Sequence, residues 1–223
     1  MDWRLLLKGT AALALLALAL AALAGRIDYW QGWAFAALNI AVVSGLASAL
    51  AGRPVDIASR MRGGSGGPRW DRVIMAFFYP LNLAVPVVAA LDAGRLQWSS
   101  QPPLPVTAAA MAVYGGSAAL HLWSILSNRY YIGTVRILAA QGHTTQTGGP
   151  YRIIRHPGYA GIIGMLLSAA LCLGSTAALV PAGGVAVLLV VRAALEDDAL
   201  RRSLPGYREY AARVRFRLIP GLW

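Results

Sequence analysis

Cysteine is almost absent from this chain, and its scarcity excludes two kinds of site. Cys172 is the single cysteine among 223 residues, and it lies inside an apolar run. One thiol cannot close an intramolecular disulfide, and no second cysteine is available to bind a metal with it. The sequence therefore predicts that Cys172 is a small buried residue, and it predicts no metal site.

Charged residues are the second scarcity. Only 13% of the residues are charged, which is about half the share typical of a soluble domain, whereas 57% are hydrophobic. Several apolar stretches reach the length of about 18 residues that is needed to cross a bilayer. The composition therefore predicts an all-α integral membrane protein whose first partner is the lipid bilayer.

Six apolar segments predict about six transmembrane helices, and they occupy residues 5–24, 29–51, 73–91, 106–127, 158–173 and 177–194. The last two are short and are joined at Gly174, which predicts a helical hairpin. Pro80 and Pro86 predict a kink in the third segment, of a kind that membrane helices tolerate. The first segment also has the features of a signal peptide, because Arg4 and Lys8 precede its apolar core.

The polar stretches between these segments predict two loops. Residues 52–72 surround the sequence GGSGG with arginines, which predicts a flexible cytoplasmic linker. Glycines and prolines recur through 128–157, which predicts an irregular loop. The chain then divides into N-terminal helices at 1–102 and a core at 103–223.

The core contains the fourth helix, the loop 128–157, the hairpin 158–194 and a charged tail. Leu195, Leu200, Leu204 and Tyr207 recur in the tail at helical spacing. This spacing predicts an amphipathic C-terminal helix at the surface.

The basic residues are distributed unevenly. A net charge of +11 is compatible with nucleic-acid binding, but in a membrane protein it favours arginine-rich cytoplasmic loops. With the N-terminus inside and six crossings, only Arg26 and Arg95 of the 20 basic residues fall outside. We therefore expect cytoplasmic termini and no nucleic-acid partner. The alanine-rich composition, with arginine in place of lysine, is typical of a bacterial protein and favours the inner membrane.

Three polar clusters converge at one predicted cytoplasmic edge: 143–151, 155–159 and 192–198. Arg192 and Glu196 are four residues apart and so share one face of a helix. An arginine at a membrane edge is suited to bind a carboxylate or a phosphate through two parallel hydrogen bonds. A carboxylate one turn away can accept hydrogen bonds from an amine or a ribose hydroxyl.

Each of these residues also has an ordinary interpretation. Arg155 and Arg192 are compatible with interfacial anchors that extend to lipid headgroups. His156 precedes a proline, where turn residues are common. The acids from Glu196 onward are compatible with a solvated helix start, and the neighbouring tyrosines with an interfacial aromatic belt.

Taken together, GHTTQTGGPYRIIRHPGYAG and the later RAALEDDALRRSLPGYREY resemble the isoprenylcysteine carboxyl methyltransferase family of integral membrane methyltransferases, and most closely its bacterial branch. The resemblance covers roughly residues 125–223. Asp197 departs from the family pattern, which more often has glutamate there. The Thr-Thr-Gln after His143 also departs, because apolar residues are more usual at those positions.

This resemblance implies an S-adenosyl-L-methionine-dependent carboxyl O-methyltransferase. Arg192 would bind the carboxyl group of a lipophilic, isoprenoid-type substrate, and the implied cofactor residues are His143, Thr144, Thr145, Gln146, Tyr151, His156, Pro157, Gly158, Tyr159 and Glu196. A carboxylate is ionised at neutral pH, so it needs no catalytic base. The enzyme has to align the two reactants and exclude water from them.

Other functions remain open at this point. Lipid N-methyltransferases and NADPH-dependent sterol reductases have similar C-terminal cores. The lack of a dinucleotide-binding glycine fingerprint does not decide between them, because such membrane reductases do not use one. A non-catalytic transport or assembly protein is the remaining alternative, although transporters usually carry more polar groups at mid-membrane.

The charge distribution generates a topology prediction. In a Cys172→Ala background, Ser65→Cys and Gln97→Cys should react with a membrane-impermeant thiol reagent from opposite sides of the membrane. Labelling of intact cells and of inverted vesicles measures this directly. Labelling of both cysteines from the same side would remove one crossing from the topology.

Overall fold

The computed structural model describes residues 3–50, 67–131, 133–135 and 143–223. Within these ranges it contains seven α-helices and no strand. They are α1 (Trp3–Ala24), α2 (Trp30–Leu50), α3 (Arg69–Leu91), α4 (Leu104–Ser127), α5 (Pro157–Cys172), α6 (Leu179–Ser203) and α7 (Tyr207–Arg213). A π-helical turn, Asp92–Leu96, follows α3, and a 3-10 turn, Gly149–Arg152, precedes α5. The prediction of an all-α fold is confirmed.

Each predicted apolar segment falls on one helix. By length and composition, three helical stretches of the described ranges are able to cross a membrane: Arg69–Leu96, Leu104–Ser127 and Leu179–Ser203. Gly9–Ala24 and Pro157–Cys172 are apolar but shorter. The membrane character is therefore supported, and the six-crossing topology stays a prediction. Most of the predicted linker, residues 52–66, lies outside the described residues, and its end belongs to the first turn of α3.

The C-terminal helices differ from the prediction. The structure continues α6 without a break to Ser203, whereas the sequence pattern predicts an apolar segment ending at 194 and a separate amphipathic surface helix in the tail. The charged half contains neither glycine nor proline and is rich in good helix formers. Asp197 and Arg201 also form an ion pair across one turn, which supports the helix. The helix ends before Gly206, whose φ of +76° suits glycine.

The tail is amphipathic, but its apolar side is covered. Tyr207, Tyr210 and Ala211 of α7 are buried and pack with Leu204 and Tyr151 in a small core. Of the residues that predicted the surface helix, Leu195 and Leu200 lie on α6, Leu204 follows it, and Tyr207 begins α7, a helix of seven residues whose tyrosines are buried. Its exposed side carries Arg208, Glu209 and Arg213.

The chain forms two compact units that are interleaved along the sequence. Unit 1 comprises residues 1–55, 80–118 and 164–185, and unit 2 comprises 56–79, 119–163 and 186–223. The division of the sequence at residue 102 into N-terminal helices and a core stays a prediction.

Unit 1 is an apolar helical core. Cys172 is fully buried in it, as predicted, beside small residues such as Ala170 and Ala182. The buried carboxylate of Asp92 accepts hydrogen bonds from the hydroxyls of Ser99 and Ser175, each at 2.5 Å. These bonds join the turn after α3 to the segment between α5 and α6, and they satisfy a charge that would otherwise be costly to bury.

Unit 2 contains all three predicted polar clusters. Of the loop that precedes α5, the structure describes residues 143–156 without a gap. The backbone just before α5 pairs with the C-terminal segment, because Arg155 N donates to Phe216 O at 3.0 Å and His156 N donates to Arg217 O at 2.9 Å. This pairing holds the Arg-His-Pro motif against the chain end. It places the motif beside the charged half of α6.

Candidate active site

Unit 2 encloses a cavity of about 770 Å³. This volume is within the range of about 300–1,000 Å³ that small-molecule and cofactor sites occupy. Its most frequent lining residue is tyrosine, and the tyrosines are Tyr79, Tyr130, Tyr131, Tyr151, Tyr159, Tyr207 and Tyr210. The apolar side chains of Met75, Phe78 and Ile162 also contribute to its wall.

Most of the predicted site residues meet at this cavity. The lining includes His143, Gln146, Tyr151, His156, Gly158, Tyr159, Arg192 and Glu196. Thr144, Thr145 and Pro157 do not line it. Thr144 is exposed, the Thr145 hydroxyl donates to Pro205 O at 2.9 Å, and Pro157 is buried at the start of α5. Eight of the eleven predicted positions thus line the cavity, and their roles stay predictions.

Glu196 belongs to a wall made of aromatic and charged groups. The Tyr159 hydroxyl donates to Glu196 Oε2 at 2.6 Å. The rings of Tyr159 and His156 stack in parallel, with their centres 5.6 Å apart. The guanidinium of Arg192 lies 5.3 Å from the centre of the Tyr159 ring, within the distance of a cation–π contact. One carboxylate, two rings and one guanidinium are thus held together by direct contacts.

Arg192 is buried and has a carboxylate partner. The residue is 5% exposed, and its Nε donates to Asp71 Oδ1 at 2.8 Å. Its Nη2 donates to Gly133 O, also at 2.8 Å. An arginine that extends to lipid headgroups would be neither buried nor paired in this way, so the interpretation as an interfacial anchor is wrong. Neither contact uses Nη1.

Asp197 is the most heavily hydrogen-bonded acid in the described part of the site. It is fully buried and accepts hydrogen bonds from Arg155 Nε at 2.7 Å and Nη2 at 3.2 Å. The Tyr207 hydroxyl donates to it at 2.8 Å, Arg201 Nε at 3.1 Å and Arg217 Nε at 3.3 Å. Arg155 is therefore also a buried, paired residue and not a lipid-facing anchor.

His156 lies between the two acids. Its Nδ1 is 3.8 Å from Glu196, and its Nε2 is 3.7 Å from Asp197. These distances are too long for hydrogen bonds. His156 Nε2 and Thr134 Oγ1 both belong to residues that line the cavity, and both atoms are buried without a hydrogen-bond partner. Because buried polar groups are normally satisfied, these two atoms are suited to meet polar groups of a ligand.

Residues 110–202 match the model of the isoprenylcysteine carboxyl methyltransferase (ICMT) family. The resemblance inferred from the motifs is thereby confirmed, and the match supports a membrane methyltransferase in general. The match covers fewer than half of the 223 residues, but it includes every predicted site residue. No curated protein matches the chain.

Tyr151, Tyr207 and His143 are biased toward their neutral forms. Burial raises the pKa of Tyr151 to about 12, and it raises the pKa of Tyr207 further, with the negative charge of Asp197 adding to the effect. Burial lowers the pKa of His143, although the charge of Glu196 opposes this shift. At neutral pH these groups are uncharged. Within the described ranges, no group of three His, Cys, Asp or Glu side chains could hold a metal ion.

The sequence motifs missed several residues of the ICMT site. Asp71, Tyr131, Tyr207 and Tyr210 contact or line it, yet each lies outside the predicted set. Asp71 precedes an apolar segment, where an acid is usually interpreted as favouring the helix start. Tyr207 and Tyr210 are three residues apart and share a helix face, and this spacing is the sequence feature from which their place in the site could have been predicted.

The Asp197 cluster generates a stability prediction. Asp197→Asn removes the charge that compensates buried Arg155, and breaking a buried ion pair in this way typically costs about 3–5 kcal/mol. The variant should therefore lose most of its thermal stability in detergent, measured as the midpoint of unfolding. Asp198→Asn is the matched control. Its side chain is 56% exposed and pairs only with exposed Arg202, so its midpoint should change little.

Proposed function

We propose that this protein is an S-adenosyl-L-methionine-dependent methyltransferase that methylates the carboxyl group of a lipophilic, isoprenoid-type acid at the cytoplasmic side of a bacterial inner membrane. One observation carries the proposal. Arg192 and Glu196 lie one turn apart on α6 and line the same tyrosine-rich cavity within the ICMT region. The cavity thus offers Arg192 to bind an acidic substrate and, next to it, Glu196 to bind the cofactor.

The cavity lining fits the proposed cofactor. When bound, S-adenosyl-L-methionine supplies a methyl group activated by a positively charged sulfur. Tyrosine faces attract such a cation, and Tyr131, Tyr151 and Tyr159 all line the cavity. The Glu196 carboxylate is suited to accept hydrogen bonds from amino or ribose hydroxyl groups. The unpartnered Nε2 of His156 adds a further polar contact.

The protein's own residues would then contribute binding, alignment and exclusion of water. The acceptor carboxylate is already ionised, so no residue has to remove a proton from it. Arg192 would bind the acid through Nη1, since its other donors contact Asp71 and Gly133. Met75, Phe78 and Ile162 offer apolar surface for a lipid chain. Exclusion of water strengthens the electrostatic contacts inside such a site.

A lipid amine is the second candidate acceptor, and one observation favours it. Arg155 and Arg192 each face a carboxylate, whereas Glu196 accepts its hydrogen bond from the neutral hydroxyl of Tyr159. Among the described residues, no arginine thus lies within ion-pair distance of this cavity acid. Such an acid would also attract a cationic amine, as in a membrane lipid N-methyltransferase.

The proposed cofactor is tested by calorimetry on the detergent-purified protein. S-adenosylhomocysteine should bind with a Kd well below about 1 mM, which corresponds to about 4 kcal/mol. NADPH, the cofactor of the reductase alternative, should not bind. If NADPH binds and neither S-adenosylmethionine nor S-adenosylhomocysteine does, the methyltransferase proposal is wrong.

The two charged residues of α6 should affect different parameters. Arg192→Ala removes a charge-assisted contact worth about 1.5–3 kcal/mol and should slow methyl transfer roughly 10- to 150-fold, with little change in S-adenosylhomocysteine affinity. Arg192→Lys should restore little, because an ammonium cannot reproduce the guanidinium geometry. Glu196→Gln should instead weaken the binding of S-adenosylhomocysteine.

Turnover with radiolabelled S-adenosylmethionine and calorimetric Kd values separate these effects. Glu209→Gln is the control for Glu196→Gln, because Glu209 is an exposed acid on α7 and does not line the cavity. Full turnover by folded Arg192→Ala would contradict a role for Arg192 in acceptor binding.

A further inference from the structure

Asp71 approaches Arg192 without lining the main cavity. It lies in the first turn of α3, is 1% exposed and lines a smaller cavity of about 330 Å³ with Gly133 and Thr134. Arg192 lines the main cavity and not the smaller one. The acid is therefore placed to hold the guanidinium without occupying the space that a ligand would use.

Both oxygens of Asp71 are engaged, and together they close a ring of hydrogen bonds. Oδ1 accepts from Arg192 Nε at 2.8 Å, and Oδ2 accepts from Val135 N at 3.1 Å. Arg192 Nη2 in turn donates to Gly133 O at 2.8 Å. The segment 133–135 is thus bound to both members of the ion pair. This ring fixes two of the three nitrogens of the guanidinium and leaves Nη1.

Stability alone does not account for this ion pair. A buried ion pair loses the hydration of both charges, and apolar residues of similar volume often stabilise a protein as well or better. The pair does restrict the orientation of the Arg192 side chain, because an arginine without such a partner has many rotamers. Displacing a reactant by about 1 Å can cost roughly 100-fold in rate. The pair is therefore better explained by the placement of Arg192 than by net stability.

We propose that Asp71 is a positioning residue for the methyl acceptor: it anchors Arg192 through Nε so that Nη1 meets the acid group of a lipophilic carboxylate. This inference rests on the proposed function. It adds a residue outside the sequence motifs and outside the matched family region. It also specifies a single-nitrogen contact in place of the two-point contact that the sequence indicated.

The test compares Asp71→Asn, Arg192→Gln and the double variant. Acceptors are farnesoic acid and saturated C12–C16 acids in detergent micelles, and methylation is followed with radiolabelled S-adenosylmethionine. We expect Asp71→Asn to lower kcat/KM for the acid roughly 10- to 100-fold, while the Kd of S-adenosylhomocysteine changes by less than about threefold. The double variant should be no slower than Arg192→Gln, because Asp71 acts through Arg192.

Asp198→Asn is the matched control, since it makes the same chemical change at an exposed acid that does not line the cavity. A purely structural role for Asp71 would lower the folded fraction and affect acceptor and cofactor parameters together. If Asp71→Asn does not fold, Asp71→Glu keeps the charge but moves the guanidinium. It should then show the acceptor defect with unchanged cofactor affinity.

Three results would overturn the inference. The first is an unchanged kcat/KM in Asp71→Asn, or in Asp71→Glu in its place, and the second is an effect that adds to that of Arg192→Gln. The third is a wild-type protein that binds S-adenosylhomocysteine yet methylates none of these acids, which would refute the acid acceptor and leave the cofactor assignment standing. Failure of the wild-type protein to bind S-adenosylhomocysteine at all would instead refute the proposed function itself.

Discussion

The site depends on one buried carboxylate. Asp197 is removed from water, and a charge in that position is tolerated only when it is paired and hydrogen-bonded. Its donors come from the motif before α5, from α6, from α7 and from the C-terminal segment, through Arg155, Arg201, Tyr207 and Arg217. Moving the motif before α5 away would leave buried Arg155 without its carboxylate, and moving α7 away would remove the hydrogen bond of Tyr207. This constraint places His156 and Glu196 beside the cavity.

A second buried pair, between Asp71 and Arg192, controls the charge of the cavity. Arg155 and Arg192 each form an ion pair with a carboxylate. Among the described lining residues, Glu196 is the acid that lacks such an arginine partner, and several tyrosines line the cavity with it. Such a lining favours a cationic ligand, as the proposed cofactor is. An acidic acceptor would then rely on the remaining nitrogen of Arg192 and on its own apolar chain.

The matched family region does not contain the whole site. Residues 110–202 include the motif and most of α6, but Asp71 precedes this range, and Tyr207, Tyr210 and Arg217 follow it. Asp71 pairs with Arg192 of α6, and Tyr207 and Arg217 donate hydrogen bonds to Asp197. Part of the cavity wall and of its buried ion pairs therefore comes from segments that the family match does not cover.

By itself the sequence determined the helices and the motif, because apolar runs, glycine, proline and residue spacing all act over a few neighbouring positions. It therefore placed His143, His156, Arg192 and Glu196 at one site. Only the tertiary structure decided that Arg192 pairs with Asp71, 121 positions away, and that Asp197 gathers several donors. Such pairs are selected by packing and by the cost of burying charge, which leave no periodic trace. The spacing of Arg192 and Glu196 placed both on one helix face, but the extension of α6 to Ser203 was not predicted, because hydrophobicity changes at residue 195 whereas helix propensity does not.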